Sequence, residues 1–284
     1  MAPGFQLFSS LRYDPLLTPL AINTESWDGP IKTGSPFYLL PYHRDRILQA
    51  AEHFGWTEAA ARIRGADGLA HFLSKLTEVI DVSSAKPVRI RALLDHEGKF
   101  TIEMTPIYFS VSESTLFPRR LPPPRSENKV KVSPLTGGAL TLGGHETVHG
   151  DPEREEPWIV VPDSATTTPS EETLYKTTSR GMYTRARERA GIKGFDEKKE
   201  VLIVSDRDGE IMEGSLTSVF FWRNGKWTTP PVSSGGQIGT TRRWALEKGL
   251  CVEAVVKADS LVDGEECYIS NGVRGFNWAK VRLP

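Results

Sequence analysis

The sequence predicts a two-domain α+β protein (a two-domain α/β chain in the broad sense), and three observations carry that prediction. Short apolar runs alternate with helical patterns in the first third of the chain, a stretch rich in Pro, Gly and charge interrupts it, and short strands joined by tight turns follow. The boundaries fall at residues 1–115 for the N-terminal α+β domain, 116–165 for a linker or insert, and 166–284 for the C-terminal domain.

Residues 5–11 read as the first strand. Apolar residues recur every three or four positions over 41–54 and 66–80, as in amphipathic helices. Residues 88–94 and 100–104 read as strands around Asp95-His96-Glu97-Gly98-Lys99, whose polar and glycine content suits a hairpin loop. The stretch from Pro118 to Pro157 holds Pro122-Pro123-Pro124, Gly137-Gly138, Gly143-Gly144 and Glu153-Arg154-Glu155-Glu156, the composition of an extended loop. His145 and His149 lie there at i, i+4 spacing, but nearby glycines oppose a helix and two ligands are too few for zinc, so no metal site is assigned. Residues 175–190 are predicted as one helix, stopped by Gly191. Residues 201–204 and 211–213 flank the turn Asp206-Arg207-Asp208-Gly209, and 219–222 and 226–229 flank Asn224-Gly225, the strongest hairpin signal in the chain. A glycine-rich loop then leads into a helix over 241–248, and 266–270 reads as the closing strand.

A net charge of −1, with 38% apolar and 25% charged residues, describes a globular chain with no electrostatic drive toward nucleic acid or anionic membrane. A small molecule is the expected partner. Cys251 and Cys267 match no disulfide framework or metal spacing and read as small buried hydrophobes. The start Met1-Ala2-Pro3-Gly4 lacks a charged region followed by an apolar run, and no apolar segment approaches the roughly 20 residues of a membrane helix, so a cytoplasmic location is expected.

Four features bear on chemistry. Ser233-Ser234-Gly235-Gly236-Gln237-Ile238-Gly239-Thr240-Thr241-Arg242 delivers glycines and hydroxyls to a helix start, where unpaired N–H groups and the helix dipole favour an anion. It is neither a P-loop nor a dinucleotide fingerprint. Glu213, at a strand end before Gly214, could hydrogen-bond a protonated pyridine nitrogen. Arg46, on the helix face of Tyr42, could clamp a phosphate with its planar fork. Lys176, in Tyr175-Lys176-Thr177-Thr178-Ser179-Arg180, could hold a cofactor aldehyde. Taken singly, each has an ordinary reading: a helix cap, a surface carboxylate, two solvated cations.

Together these pieces, with Met212-Glu213-Gly214-Ser215-Leu216-Thr217-Ser218-Val219-Phe220 and Ser270-Asn271-Gly272-Val273-Arg274-Gly275, resemble the fold-type IV pyridoxal-phosphate enzymes. That group contains branched-chain aminotransferases, D-amino-acid aminotransferases and aminodeoxychorismate lyases. The resemblance spans most of the chain apart from the insert, and the order and spacing of the motifs make it specific. It implies a larger C-terminal domain with a mixed, barrel-like sheet, a homodimer, and pyridoxal 5'-phosphate as cofactor. It also implies that Lys176 carries the cofactor and acts as acid and base, Glu213 pairs with the pyridine nitrogen, Arg46, Gly239, Thr240 and Thr241 hold the phosphate, and Asn271 lies beside the cofactor. Within the group, Lys176-Thr177-Thr178-Ser179-Arg180 followed by Tyr183 looks most like the lyases, of a fungal kind, although Gly272 stands where their pattern has Ser. The implied reaction takes 4-amino-4-deoxychorismate to 4-aminobenzoate and pyruvate. Its substrate has two carboxylates, for which Arg274, Arg180, Arg89 and Arg91 are the candidates, in that order. An aminotransferase of the same fold is the first alternative, and a catalytically silent binding protein on this scaffold the second.

Overall fold

The computed structural model describes residues 4–25, 34–81, 86–125, 131–132, 139–140 and 156–284. His145 and His149 lie outside the described residues. In the N-terminal part, β1 (Leu7–Tyr13), α1 (Leu40–His53), α2 (Thr57–Ile63), α3 (Gly65–Thr77), β2 (Val88–Leu94) and β3 (Phe100–Pro106) form an antiparallel sheet, ordered β1-β2-β3, backed by the helices. Leu7, Leu11, Ile90 and Leu94 point from the sheet into one core with Ile47, Phe72 and Leu76. The period-2 and period-3.6 patterns therefore meet on one buried surface. The strand expected at 5–11 runs two residues later, and α2 is an addition: its Ala-rich seven residues show too little apolar periodicity to be read alone.

After α4 (Glu113–Leu116) and the two-residue strands β4 (Lys131–Val132) and β5 (Ala139–Leu140), the chain builds a second sheet. Its strands are β6 (Trp158–Thr167), β7 (Lys199–Ser205), β8 (Ile211–Gly214), β9 (Ser218–Arg223), β10 (Lys226–Thr229), β11 (Val252–Glu253), β12 (Glu266–Asn271) and β13 (Gly275–Val281). They are ordered β11-β10-β9-β12-β13-β6-β7-β8, with β13, β6 and β7 parallel to one another and most other pairs antiparallel. This is the mixed, curled sheet of the fold the motifs imply. The sheet already begins at Trp158, inside the range expected to be linker. The parallel β6–β7 pair requires a crossover, which α5 (Glu171–Leu174) and α6 (Gly181–Arg189) supply.

The single helix expected over 175–190 is not formed: α6 starts only at Gly181, and residues 175–180 are outside it. Phe8 N–H donates to the Lys176 carbonyl at 3.0 Å and Thr178 N–H to that of Gln6 at 2.9 Å, so this backbone pairs with the free edge of β1. The hydroxyl residues Thr177, Thr178 and Ser179 also compete with helix for their own backbone. A further strand, β13, follows the expected closing strand β12. Tyr38, Leu39 and Tyr42 share a core with Phe220, Trp244 and Phe276, so the two sheets are welded where α1 meets α7 (Thr240–Glu247).

Candidate active site

The free edge of β1 gathers the motifs. Besides pairing with Lys176 and Thr178, it donates the Arg12 N–H to the Gly272 carbonyl at 3.0 Å, bringing the turn 271–275 beside the lysine segment. Lys176 thus sits where the small sheet, the β12–β13 turn and the large sheet converge. Its Nζ lies 5.2 Å from the Phe8 ring centre and 3.5 Å from Gln237 Oε1. Gln237 Nε2 donates to the Tyr183 hydroxyl at 3.3 Å, and that hydroxyl donates to Glu213 Oε1 at 2.5 Å. One network therefore runs from the lysine through Gln237 and Tyr183 to Glu213.

Burial dominates the electrostatics here. It drives the Lys176 amine well below the usual lysine range, with Arg180 and Arg46 pushing the same way and Glu213 opposing. Burial also raises the Glu213 carboxyl to about 7, against the Tyr183 hydrogen bond and the charges of Lys176 and Arg180, which lower it. The pair consequently approaches neutrality from both sides.

Arg46 projects from α1 toward the same centre. It donates to Ser9 Oγ, which lies 2.6 Å from His43 Nδ1. Burial and the charges of Arg46 and Lys176 hold His43 neutral. Since Ser9 accepts from Arg46, its own proton goes to Nδ1, leaving the histidine proton on Nε2. His43 Nε2, Arg46 Nε and Arg180 Nη1 are buried with no hydrogen-bond partner among the described residues. Three such atoms around one lysine mark a polar site for a ligand rather than a packed core.

The candidate anion-binding element is the start of α7. Gly239 is its N-cap, and a Cβ there would come within 2.1 Å of Ser218 Oγ, so only glycine lets the helix start approach this closely. Thr240 and Thr241 occupy the first turn, both buried, and Thr241 Oγ1 meets Ser270 Oγ at 2.7 Å. The first-turn N–H groups of a helix have no intrahelical acceptor and favour negative charge.

The four candidate arginines differ in availability. Arg180 donates Nη2 to the Ser215 carbonyl at 2.6 Å and lies 4.0 Å over the Tyr183 ring. Arg89 and Arg274 surround Phe195: Arg89 is 5.4 Å over its ring and Arg274 donates to its carbonyl. Burial lowers the pKa of both, Arg89 further by Arg91 and Arg274 further by Arg89 and Arg187, as expected of clustered cations. Arg91, by contrast, already has a carboxylate, Glu103, at 2.9 Å across the sheet. Asn271 ends β12, and its Oδ1 accepts the N–H groups of Val273 and Arg274 at 3.0 and 2.9 Å, so it holds the turn that carries Arg274.

Sequence reading does not single out Ser9, Tyr183 or Gln237 as site residues. Tyr183 had a signal, since Arg180, Tyr183 and Arg187 recur at i, i+3, i+7 on one helix face. Ser9 had none, because nothing local distinguishes it from Ser10. Among the described residues no group of three or more His, Cys, Asp or Glu is placed to hold a metal, and no helix is long and apolar enough to cross a membrane.

Fold and cleft together define an enzyme of mixed α+β architecture with a lysine at its centre. The chain belongs to the amino-transferase class IV family, whose model matches residues 29–278. It is 36% identical over 132 residues to the aminodeoxychorismate lyase of Saccharomyces cerevisiae, a match covering 42% of this chain and 35% of that protein. A Schizosaccharomyces pombe protein, provisionally named aminodeoxychorismate lyase, is 25% identical over 240 residues, covering 84% of this chain and 81% of that one. Among solved structures, a provisionally named amino-acid aminotransferase from Mesorhizobium loti superposes with a TM-score of 0.62 at 21% identity, covering 99% of this chain and 100% of that one, which shows the fold.

Proposed function

We propose that this chain is a 4-amino-4-deoxychorismate lyase, releasing pyruvate and leaving 4-aminobenzoate, with pyridoxal 5'-phosphate as its cofactor. The observation that carries the reading is one cleft holding a lysine amine driven toward neutrality, a carboxyl raised to about 7, Arg180 and Arg89 with no ion-pair partner among the described residues, and Arg274 with only the exposed Asp196 at 3.8 Å. The names of the two yeast relatives support the lyase over the transaminase.

The residues fit the cofactor. Arg46, with its unpartnered Nε, and Gly239, Thr240 and Thr241 at the start of α7 would hold the phosphate. Glu213 would face the ring nitrogen, Lys176 the aldehyde carbon, and Asn271 would lie at the cofactor's side. Bound there, the cofactor supplies an electron-withdrawing ring that delocalises the charge left when a proton is removed. The remaining work falls to the chain. Lys176, neutral because buried among cations, takes the proton from the substrate carbon bearing nitrogen and later returns one to the departing pyruvate fragment. Glu213 would keep protonated the ring nitrogen it faces. Arg180, Arg274 and Arg89 hold the two carboxylates, with Arg91 supporting from beside Phe8.

The purified protein loaded with pyridoxal 5'-phosphate should release pyruvate and 4-aminobenzoate from 4-amino-4-deoxychorismate through many turnovers with no keto acid added. A branched-chain or D-amino-acid aminotransferase would stall after one turnover and resume with a keto acid. Borohydride reduction followed by peptide mapping should place the pyridoxyl group on Lys176, and an adduct on any other lysine would overturn the site. The reading includes a homodimer acting on a small molecule in the cytoplasm. Light scattering of the loaded protein at twice the 31.5 kDa chain mass tests the first part.

A further inference from the structure

A buried carboxylate that the proposed chemistry does not use stands behind the arginines. Glu200, the second residue of β7, is 2% exposed. Its Oε1 accepts the Ser215 N–H at 3.1 Å, the Ser215 hydroxyl at 2.6 Å and the Val201 N–H at 2.9 Å. Its Oε2 accepts the Leu216 N–H at 3.2 Å and the Thr217 hydroxyl at 2.9 Å. Four of these five donors belong to the turn that directly follows Glu213.

That turn in its turn holds two cations. The Ser215 carbonyl accepts Arg180 Nη2 at 2.6 Å, and Ser215 Oγ accepts Arg187 Nη1 at 3.2 Å. Because the Ser215 hydroxyl proton is directed to Glu200, the lone pair of Oγ is free to face Arg187. Arg187 also donates to the Gly194 carbonyl at 2.8 Å and lies 5.3 Å from the Phe195 ring, on the cluster that includes Arg89 and Arg274. Taking a carboxylate out of water costs several kcal/mol before compensation, and the five donors offset that cost by fixing the turn around it. The charge of Glu200 also acts favourably on Arg180 and Arg274.

We propose that Glu200 is a positioning residue for carboxylate recognition: through the turn 214–217 it holds Arg180, whose Nη1 is buried and unpartnered, ready for an anionic substrate, while Arg187 braces the same turn. This rests on the lyase reading only in naming that anion as a carboxylate of 4-amino-4-deoxychorismate.

The test compares the loaded enzyme with Glu200→Gln, Arg180→Lys and the double variant, by kinetics per loaded site and by calorimetric titration with 4-aminobenzoate. Glu200→Gln should raise KM and weaken 4-aminobenzoate binding by about tenfold, with kcat within about threefold and the cofactor absorbance unchanged. In the Arg180→Lys background the same change should add less than about twofold, because the two residues act as one unit. Unchanged KM and binding per loaded site, or equal effects in both backgrounds, would overturn the proposal and leave Glu200 a support of the turn alone. Should Glu200→Gln fail to fold, Ser215→Ala, which removes a hydroxyl donor to Glu200, is run through the same cycle against Arg180→Lys, and additivity there overturns it equally. If the wild-type enzyme releases no pyruvate, the lyase reading fails by itself. The titration is then made with 2-oxoglutarate, and coupling to Arg180 still decides the role of Glu200.

Discussion

A guanidinium that already has a carboxylate beside it has less to gain from a substrate than one whose donors point at nothing. Arg91 and Arg180 make that contrast within one cleft, both facing the Phe8 ring at 4.6 and 5.9 Å. Arg91 is paired with Glu103, whereas Arg180 has its Nη1 buried and unpartnered and its Nη2 on a neutral carbonyl. Charge-assisted hydrogen bonds are the strong ones, and an unmet buried donor is costly until a ligand arrives. Arg180→Ala should therefore raise KM by about a hundredfold, equivalent to about 2.7 kcal/mol, while Arg91→Ala should change it by less than about threefold. Steady-state kinetics on the two variants, with equal cofactor loading, decides; the reverse order would move the carboxylate site out to β2.

At the scale of elements, the packing of α1 against the β12–β13 turn explains a departure in the sequence. Gly272 stands where the lyase pattern has Ser, and a Cβ at that position would lie 2.5 Å from His43 Cε1 and 2.9 Å from the Ser10 carbonyl. The histidine ring is fully buried and held by Ser9, so it cannot swing aside. Gly272→Ala should destabilise the protein by about 2 kcal/mol, and the loss should shrink in a His43→Ala background, because overpacking is relieved when the opposing group is removed. Thermal denaturation of the four proteins checks this, and an equal loss in both backgrounds would assign the strain to the backbone instead. Much of the element pattern was legible in the sequence: β2 and β10 have the predicted ends, and α1, α3, α7, β7, β8, β9 and β12 differ by a few residues. The misses have physical causes. β6 contains Pro162 and Asp163, whose composition suggests a loop, and the sheet tolerates them at a register shift between Pro162 and Thr166. Residues 175–180 look helical by periodicity but give their backbone to β1, a partner far away in sequence. The same distance separates site residues that were readable from those that were not. Lys176, Glu213, Arg46 and the start of α7 each sit in a local motif, whereas Ser9, Gln237 and Glu200 acquire meaning only through contacts the tertiary fold creates.

For the molecule as a whole, a cleft tuned for a ligand should leave a mark on stability when the ligand is away. Without cofactor, Glu213 has its carboxyl raised from an ordinary 4.5 to about 7, chiefly by burial. The folded state then holds more protons than the unfolded chain between those values, so stability falls as pH rises through that window, and the contribution is fully present only below 4.5. Lys176 works in the opposite sense, since its pKa lies below 10.5 in the folded state. There the unfolded chain binds the extra proton, and the cost of burying the ammonium is relieved as pH rises from the depressed value toward 10.5. Glu213→Gln isolates the first contribution. At pH 8 the cofactor-free variant should be more stable than the cofactor-free wild type by about 3 kcal/mol, and near pH 4 the two should converge. With pyridoxal 5'-phosphate added the order should reverse, because the wild-type carboxylate then has a partner that the amide cannot match. Urea unfolding at pH 4, 6 and 8, with and without cofactor, measures all of this. A wild type that remains the more stable at pH 8 without cofactor would mean that Tyr183, Lys176 and Arg180 already satisfy Glu213, and that the cleft is built to stand closed on itself rather than to receive a cationic ring.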